Sequence, residues 1–226
     1  FRRVLFRSRL GDSGAAVDAV AVSSSGGAGT TSGARLSPPP PNALYFEDFS
    51  RVPEGEAPPD WTGVDSYAVR REASGRAVFG PFRDGPARFV IQHGIEQLPN
   101  DFRVDVVINQ DWNNQSNSVS FGIGSTTWHV IDTGHRERRA YIGDAQTLFP
   151  RDVLPEFGDA TISFLRNGNI VRLIIDGREV ALARLSEFTS GVTLIINASG
   201  GRGDIVRTTT NGEPRIVSVG IFEVTP

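Results

Sequence analysis

Residues 160–183 read ATISFLRNGNIVRLIIDGREVALA, and this stretch decides the fold. Two β-rich runs, Ala160 to Leu165 and Ile170 to Ile175, flank Arg166-Asn167-Gly168-Asn169. Asn-Gly between two β runs is a hairpin signal, because a tight type I′ turn needs positive φ at both central residues. Asp176-Gly177 repeats the device and leads into a third run, Glu179 to Ala183. The stretch therefore reads as a three-stranded antiparallel meander.

The same texture extends outward. Short β-rich runs and turn signals alternate every eight to twelve residues or so from Ala43 onward, the spacing of a sandwich. The runs are Leu44 to Phe49, Tyr67 to Arg70, Ala77 to Phe79, Arg88 to Gln92, Phe102 to Asn109, Val119 to Ile123, Thr127 to Asp132 and Ala140 to Ile142. Val192 to Asn197 and Ile216 to Val224 follow the meander. Phe102, Val104, Val106 and Ile108 fall on one face of their run, with Arg103, Asp105 and Val107 on the other. Leu182 to Phe188 is the one segment of ambiguous period; elsewhere no helical repeat is sustained. An all-β, two-sheet antiparallel sandwich is expected over residues 42–226.

Residues 1–41 differ in kind. Gly11 to Pro41 is rich in Ser, Gly, Ala and Thr and ends in Ser37-Pro38-Pro39-Pro40-Pro41. Such a stretch buries too little apolar surface to offset its ordering entropy, so a disordered linker with a stiff proline end is expected. Val4-Leu5-Phe6-Arg7-Ser8 reads as a translated sequencing adapter, and residues 1–10 are kept out of the fold.

Composition narrows the function classes. Hydrophobic residues make up 38% and the net charge is −3, a folded composition without the basic field of a nucleic-acid binder. No apolar run approaches the ~20 residues of a membrane helix. With no cysteine, disulfides, thiol catalysis and zinc-thiolate sites are excluded. Every basic residue is arginine, which a GC-rich genome explains and which needs no functional reading.

Two groups of residues carry a resemblance. Tyr45-Phe46-Glu47-Asp48-Phe49-Ser50, with Pro53-Glu54-Gly55 and Pro58-Pro59-Asp60-Trp61, is similar to the opening strand, Gly/Pro loop and buried Trp of many bacterial concanavalin A-like domains. The meander resembles the laminin-G-like and lectin-like hairpin of that superfamily. A similar layout occurs at the N-terminus of some outer-membrane-protein-A-like proteins. The resemblance covers about Leu44 to Val224 and implies a jelly-roll sandwich (concanavalin A-like) whose first and last strands pair. It implies an extracytoplasmic setting in a bacterial envelope or secreted protein.

Catalytic motifs of the fold are missing. The glucanase Glu-x-Asp-x-x-Glu run has its nearest counterpart in Asp105 to Asp111, which lacks both Glu residues. Asp105 and Asp111 lie about 20 Å apart along a strand. A retaining pair needs about 5 Å. No catalytic residue is assigned. The pattern Phe102 to Ile108, then Asn117-Ser118-Val119-Ser120-Phe121, is similar to 3-keto-disaccharide hydrolase-like domains, so a glycoside hydrolase of that type is the enzymatic alternative.

The binding candidate is Asp111-Trp112-Asn113-Asn114-Gln115-Ser116-Asn117. An indole face suits the C–H side of a sugar, and amides and carboxylates suit its hydroxyls. Asp111, Trp112, Asn113 and Asn117, extended by Trp128, His129 and Tyr141, form the expected ligand-binding set, with Trp112 partly exposed in a concave region. No cofactor is expected. Ca²⁺ held by Asp111 and Asn113 stays open as an alternative, a weak one with fewer than three aligned carboxylates. His129, Asp132 and His135 are close in sequence but alternate in facing, and read as polar surface rather than a metal site. Arg202-Gly203-Asp204 and the sequons at Asn114 and Asn197 read as turn residues. The first reading is a non-catalytic recognition module for a glycan or cell-wall polysaccharide, with an unknown upstream partner domain. A structural spacer or protein-interaction domain is the third.

Overall fold

A computed structural model describes residues 39–62, 67–81, 98–112, 138–184 and 215–224, and the backbone alone at 87–91, 111, 118–123, 126–132 and 194–199. The linker residues 1–38 and the tripeptide Arg202 to Asp204 lie outside the described residues.

Among the described residues fifteen strands follow in chain order: β1 (Ala43–Glu47), β2 (Trp61–Thr62), β3 (Tyr67–Arg71), β4 (Ala77–Pro81), β5 (Ala87–Ile91), β6 (Phe102–Asp111), β7 (Ser118–Ile123), β8 (Thr126–Asp132), β9 (Arg138–Ile142), β10 (Ala145–Phe149), β11 (Phe157–Asn167), β12 (Ile170–Ile175), β13 (Arg178–Arg184), β14 (Leu194–Ser199) and β15 (Arg215–Glu223). They form two antiparallel sheets. One runs β13-β12-β11-β6-β15-β4-β3, with β1 also on β15; the other runs β10-β9-β8-β7-β14-β5-β2. The expected strands are present. Two more, β2 and β10, lie at sheet edges, where Trp61–Thr62 is too short and Ala145–Phe149 too poor in β-branched residues to announce a strand.

The core is the alternation made solid. Phe102, Val104, Val106 and Ile108 of β6, Ala160, Ile162 and Phe164 of β11, and Val171, Leu173 and Ile175 of β12 are buried. From the second sheet Trp61, Ala140, Ile142 and Phe149 meet them in one cluster. Each fully buried large side chain contributes about 2–3 kcal/mol by leaving water.

The meander's two turns differ. Asp176 and Gly177 both take positive φ (46° and 79°), the type I′ pattern, and Asp176 Oδ1 accepts the Thr161 N–H at 2.8 Å. At the other turn Asn167 is the last paired residue, opposite Ile170, so the central pair is Gly168-Asn169, not Asn167-Gly168. Only Gly168 has positive φ (57°), which suits a type II′ turn with Gly first. Asp101 explains the shift: its Oδ1 accepts the Gly168 N–H at 2.6 Å while Arg166 Nε donates to Gly168 O at 2.8 Å.

The first and last strands pair, Ala43 opposite Phe222 through Glu47 opposite Val219. This makes β15 an interior strand. It does not abolish edges, since β13, β3, β10 and β2 bound the two sheets. A register shift between Ile216 and Ser218 lies where β15 passes from β4, at Phe79, to β1.

Candidate functional site

Trp112 ends the hope of a sugar platform in its loop. It is 1% exposed and belongs to the core. Its Nε1 donates to Gly158 O at 3.0 Å, and its backbone N–H donates to Glu156 O at 3.0 Å. An indole with a satisfied N–H and no exposed face cannot stack on a ligand. The expectation of a partly exposed Trp112 is therefore corrected. The polar character of the residues after it concealed an anchor that closes the end of the sandwich. Asn113 and Asn117 lie outside the described residues, as does the side chain of Asp111, the last residue of β6.

Trp61 is an anchor of the same kind. It is buried beneath Phe49 and Phe79, with centroids 5.4 and 4.9 Å away, and its Nε1 donates to the Tyr45 hydroxyl at 2.7 Å. Burial pushes the Tyr45 hydroxyl well above the ordinary tyrosine range. Phe49 holds φ at +60°, costly for a bulky residue. Its ring is fully buried and Glu47 Oε1 accepts its N–H, which together keep it there.

The remaining expected residues lie on β8 and β9 of the seven-stranded sheet. Directly opposed residues of an antiparallel pair share a face. Trp128 opposes Ile142, whose side chain is in the core, whereas His129 opposes Tyr141. The register thus separates Trp128, on the core side, from His129 and Tyr141, on the outer side. The surface proposed to unite all three is corrected accordingly.

The outer side gains other members. His129 opposes Ser120, Ser120 opposes Asn197 and Asn197 opposes Arg88. In the other direction Tyr141 opposes Gln146, which is exposed. One row therefore crosses six strands: Arg88, Asn197, Ser120, His129, Tyr141, Gln146. At about 4.8 Å per strand it spans about 24 Å. The flanking outer positions are Ser199, Ser118, Ile131, Arg139 and Leu148 on one side, and Val90, Ile195, Gly122 and Thr127 on the other. Leu148 is 57% exposed, and Tyr141 and Arg139 are half-buried.

The outer side of the eight-stranded sheet is built differently. Arg76 Nη1 lies 2.6 Å from Asp159 Oδ2 and its Nε 2.8 Å from Glu72 Oε2; Arg215 Nη1 lies 3.0 Å from Glu72 Oε1. Asn109 Nδ2 donates to Asp159 Oδ1. The Arg76 hydrogen bond holds the Glu72 carboxyl below the usual carboxylate range. Nearer the sheet centre Arg103 stacks over the Phe222 ring at 5.1 Å, with its Nε 3.0 Å from Asp105 Oδ2. The Phe222 ring fills the space over Gly220, where a side chain would collide with it. Burial pushes the Asp105 carboxyl up, against the opposing pull of Ser163 and Arg103.

Among the described residues no group of three potential ligands could hold a metal ion. No helix of the described residues is long and apolar enough to cross a membrane.

No family model matches the chain, and no curated protein resembles it in sequence. Solved structures do resemble it in shape. The carbohydrate recognition domain of Emp47p superposes with a TM-score of 0.52 at 15% identity, covering 80% of this chain and 95% of that one. The β-glucanase of Bacillus licheniformis gives 0.54 at 13% identity, covering 80% and 98%. This is the concanavalin A-like lectin and glucanase fold. A chain from a structure of endo-acting O-glycanases of the human gut microbiota gives 0.54 at 10% identity, covering 81% and 100%. At such identities the concanavalin A-like likeness concerns the fold alone.

Proposed function

We propose that this domain is a non-catalytic glycan-recognition module that binds along the outer face of its seven-stranded sheet. The observation that carries the reading is the row Arg88, Asn197, Ser120, His129, Tyr141, Gln146. By strand register it lines up an arginine, an asparagine, a serine, a histidine, a tyrosine and a glutamine across about 24 Å. Hydroxyl and amide groups match sugar hydroxyls as donors and acceptors, and a half-exposed ring suits a sugar's C–H face. Solved structures of the same shape include a carbohydrate recognition domain and a glucanase, which supports a sugar ligand. Hydrolysis of a glycosidic bond commonly takes two carboxyl groups, about 5 to 10 Å apart, across the bond. The described strand positions on this face include no Asp or Glu, which favours binding over cleavage.

The setting we infer is extracytoplasmic, in a bacterial envelope or secreted protein, with the Gly/Ser/Pro stretch as tether and a cell-wall or other extracellular polysaccharide as partner. The test is a glycan-array screen of the full 226-residue chain. Tyr141→Ala and Asn197→Ala are expected to abolish the wild-type signals while leaving the melting curve intact. Signals that survive both substitutions would overturn this placement. Release of reducing ends from any bound polysaccharide would overturn the non-catalytic reading. Trp112→Ala, by contrast, is expected to cost about 3–5 kcal/mol of stability, as removal of a buried aromatic does.

A further inference from the structure

Four described strands, β13, β3, β10 and β2, bound the two sheets, and three of them are protected. An edge strand carries unpaired N–H and C=O groups, which folded proteins cover, charge, bend or keep short. At β3 the preceding loop does the covering: Val69 N–H donates to Glu56 O at 2.8 Å, and Val69 O accepts the Gly55 N–H at 2.9 Å. β13 is broken by a register shift opposite Leu173 and Ile174 and bears Arg178, Glu179 and Arg184. β2 is two residues long.

β10 has none of these devices. Its residues, Ala145-Gln146-Thr147-Leu148-Phe149, pair with β9 without a bulge and include no charge. Ala145, Gln146 and Leu148 are exposed. The turn decides which backbone groups face outward. Ile142 and Ala145 close a two-residue hairpin over Gly143-Asp144, so they exchange both hydrogen bonds. Along an antiparallel strand such pairs alternate with pairs that exchange none. Ala145, Thr147 and Phe149 therefore aim their N–H and C=O groups at β9, and Gln146 and Leu148 aim theirs outward. Beyond Leu148 and Phe149 comes Pro150, which has no N–H to offer.

A second copy of β10 fits this edge. A two-fold axis permits only antiparallel registers in which one residue faces itself. Centred on Gln146, Leu148 would face Asp144 in the turn. Centred on Leu148, Gln146 would face Pro150. Centred on Thr147, Gln146 faces Leu148 of the other copy twice over, and every outward group of both residues is used. Thr147 then meets its own copy as a pair without mutual hydrogen bonds, Cα atoms about 4.5 Å apart, and Thr–Thr pairs of this kind are favourable. No like charges oppose each other along the strand. At each end the exposed Asp144 comes to lie beside Arg151 of the other copy, so the charges there are opposite.

We propose that the protein forms a two-fold dimer through β10, its seven-stranded sheets joining edge to edge into one sheet of fourteen strands. The proposal stands apart from the glycan reading. It sets the two outer faces side by side on one continuous sheet.

The chain has no cysteine, so a single introduced thiol reports on this edge. In the full chain Thr147→Cys falls on the axis, where a Cα separation of about 4.5 Å allows a disulfide. Mild oxidation should link most of that variant into covalent dimers. Ala145→Cys, exposed but off the axis, should link little. Sedimentation velocity of the unaltered chain should show a monomer–dimer equilibrium that shifts with concentration. Gln146→Lys combined with Leu148→Lys sets like charges opposite each other and should raise the dimer dissociation constant about tenfold or more. Gln146→Lys combined with Leu148→Glu sets opposite charges there and should restore the dimer. Thr147→Cys linking no better than Ala145→Cys would overturn the proposal. So would a dimer that the lysine pair leaves unchanged, since its interface would lie elsewhere.

Discussion

The two outer faces of this sandwich solve the same problem in opposite ways. Both are antiparallel sheets with their other side in one core. The eight-stranded face brings its own counter-ions: Asp159 serves Asn109 and Arg76 together, Glu72 serves Arg76 and Arg215, and Asp105 sits beside Arg103. Among the described residues, the outer strand positions of the seven-stranded sheet carry Ser, Thr, Asn, Gln, His, Tyr and Arg residues. A face that satisfies its own charges gains little from a ligand.

The comparison can be broken by substitution. Among substitutions on the two outer faces, the largest stability effect is expected from Asp159→Ala, which takes the acceptor from the buried Asn109 amide and one partner from Arg76. A loss of about 2 kcal/mol in urea unfolding is expected, the usual cost of stranding a buried donor. An equal loss from Gln146→Ala, at an exposed position of the seven-stranded sheet, would erase the distinction between the faces.

Asp105→Asn sharpens it through pH. Burial raises the folded-state pKa of Asp105 above its unfolded value, so the folded state binds the proton more tightly. Stability is therefore unaffected by Asp105 at pH below the ordinary aspartate range, falls as pH rises toward the folded pKa, and bears the whole cost above it. The Asn variant should be the more stable at neutral pH, with its advantage vanishing on acidification. A gain that persisted at low pH would contradict burial as the cause. Glu72 has the opposite sign: its depressed pKa gives stability that is present at neutral pH and lost as the pH falls.

The smallest stability effect is expected from Tyr141→Ala, within about 0.5 kcal/mol in a thermal melt, as for most surface changes. Its effect on glycan binding should be complete. A large loss of stability instead would make Tyr141 a structural residue and the face ordinary.

The fold was legible because its signals are local. Alternation in β6 and the Asp176-Gly177 turn are contained within a few residues each. The Gly168 turn moved by one position because Asp101, far away in sequence, holds its N–H. The burial of Trp112 is hidden from the sequence for the same reason: the carbonyl that takes its indole N–H is 46 residues away, at Gly158. The row on the seven-stranded sheet takes one residue from each of six strands scattered between positions 88 and 197. Only strand register assembles it, so no motif could have announced it. His129 and Tyr141, on adjacent strands, stand out in the sequence as binding candidates; Arg88, Ser120, Gln146 and Asn197 do not.

The pairing of β1 with β15 has a mechanical consequence. Glu223 N donates to Asn42 O at 3.3 Å, so the polypeptide enters and leaves the domain at one corner. A pull applied between those two points acts across the strands, along the ladder's hydrogen bonds, which lie perpendicular to them. The bonds then open singly, Ala43 from Phe222 first and Glu47 from Val219 last, as a zipper does. Under tension between its two ends the domain should yield at low force by peeling, and a load borne by the sheet faces would leave this seam untouched.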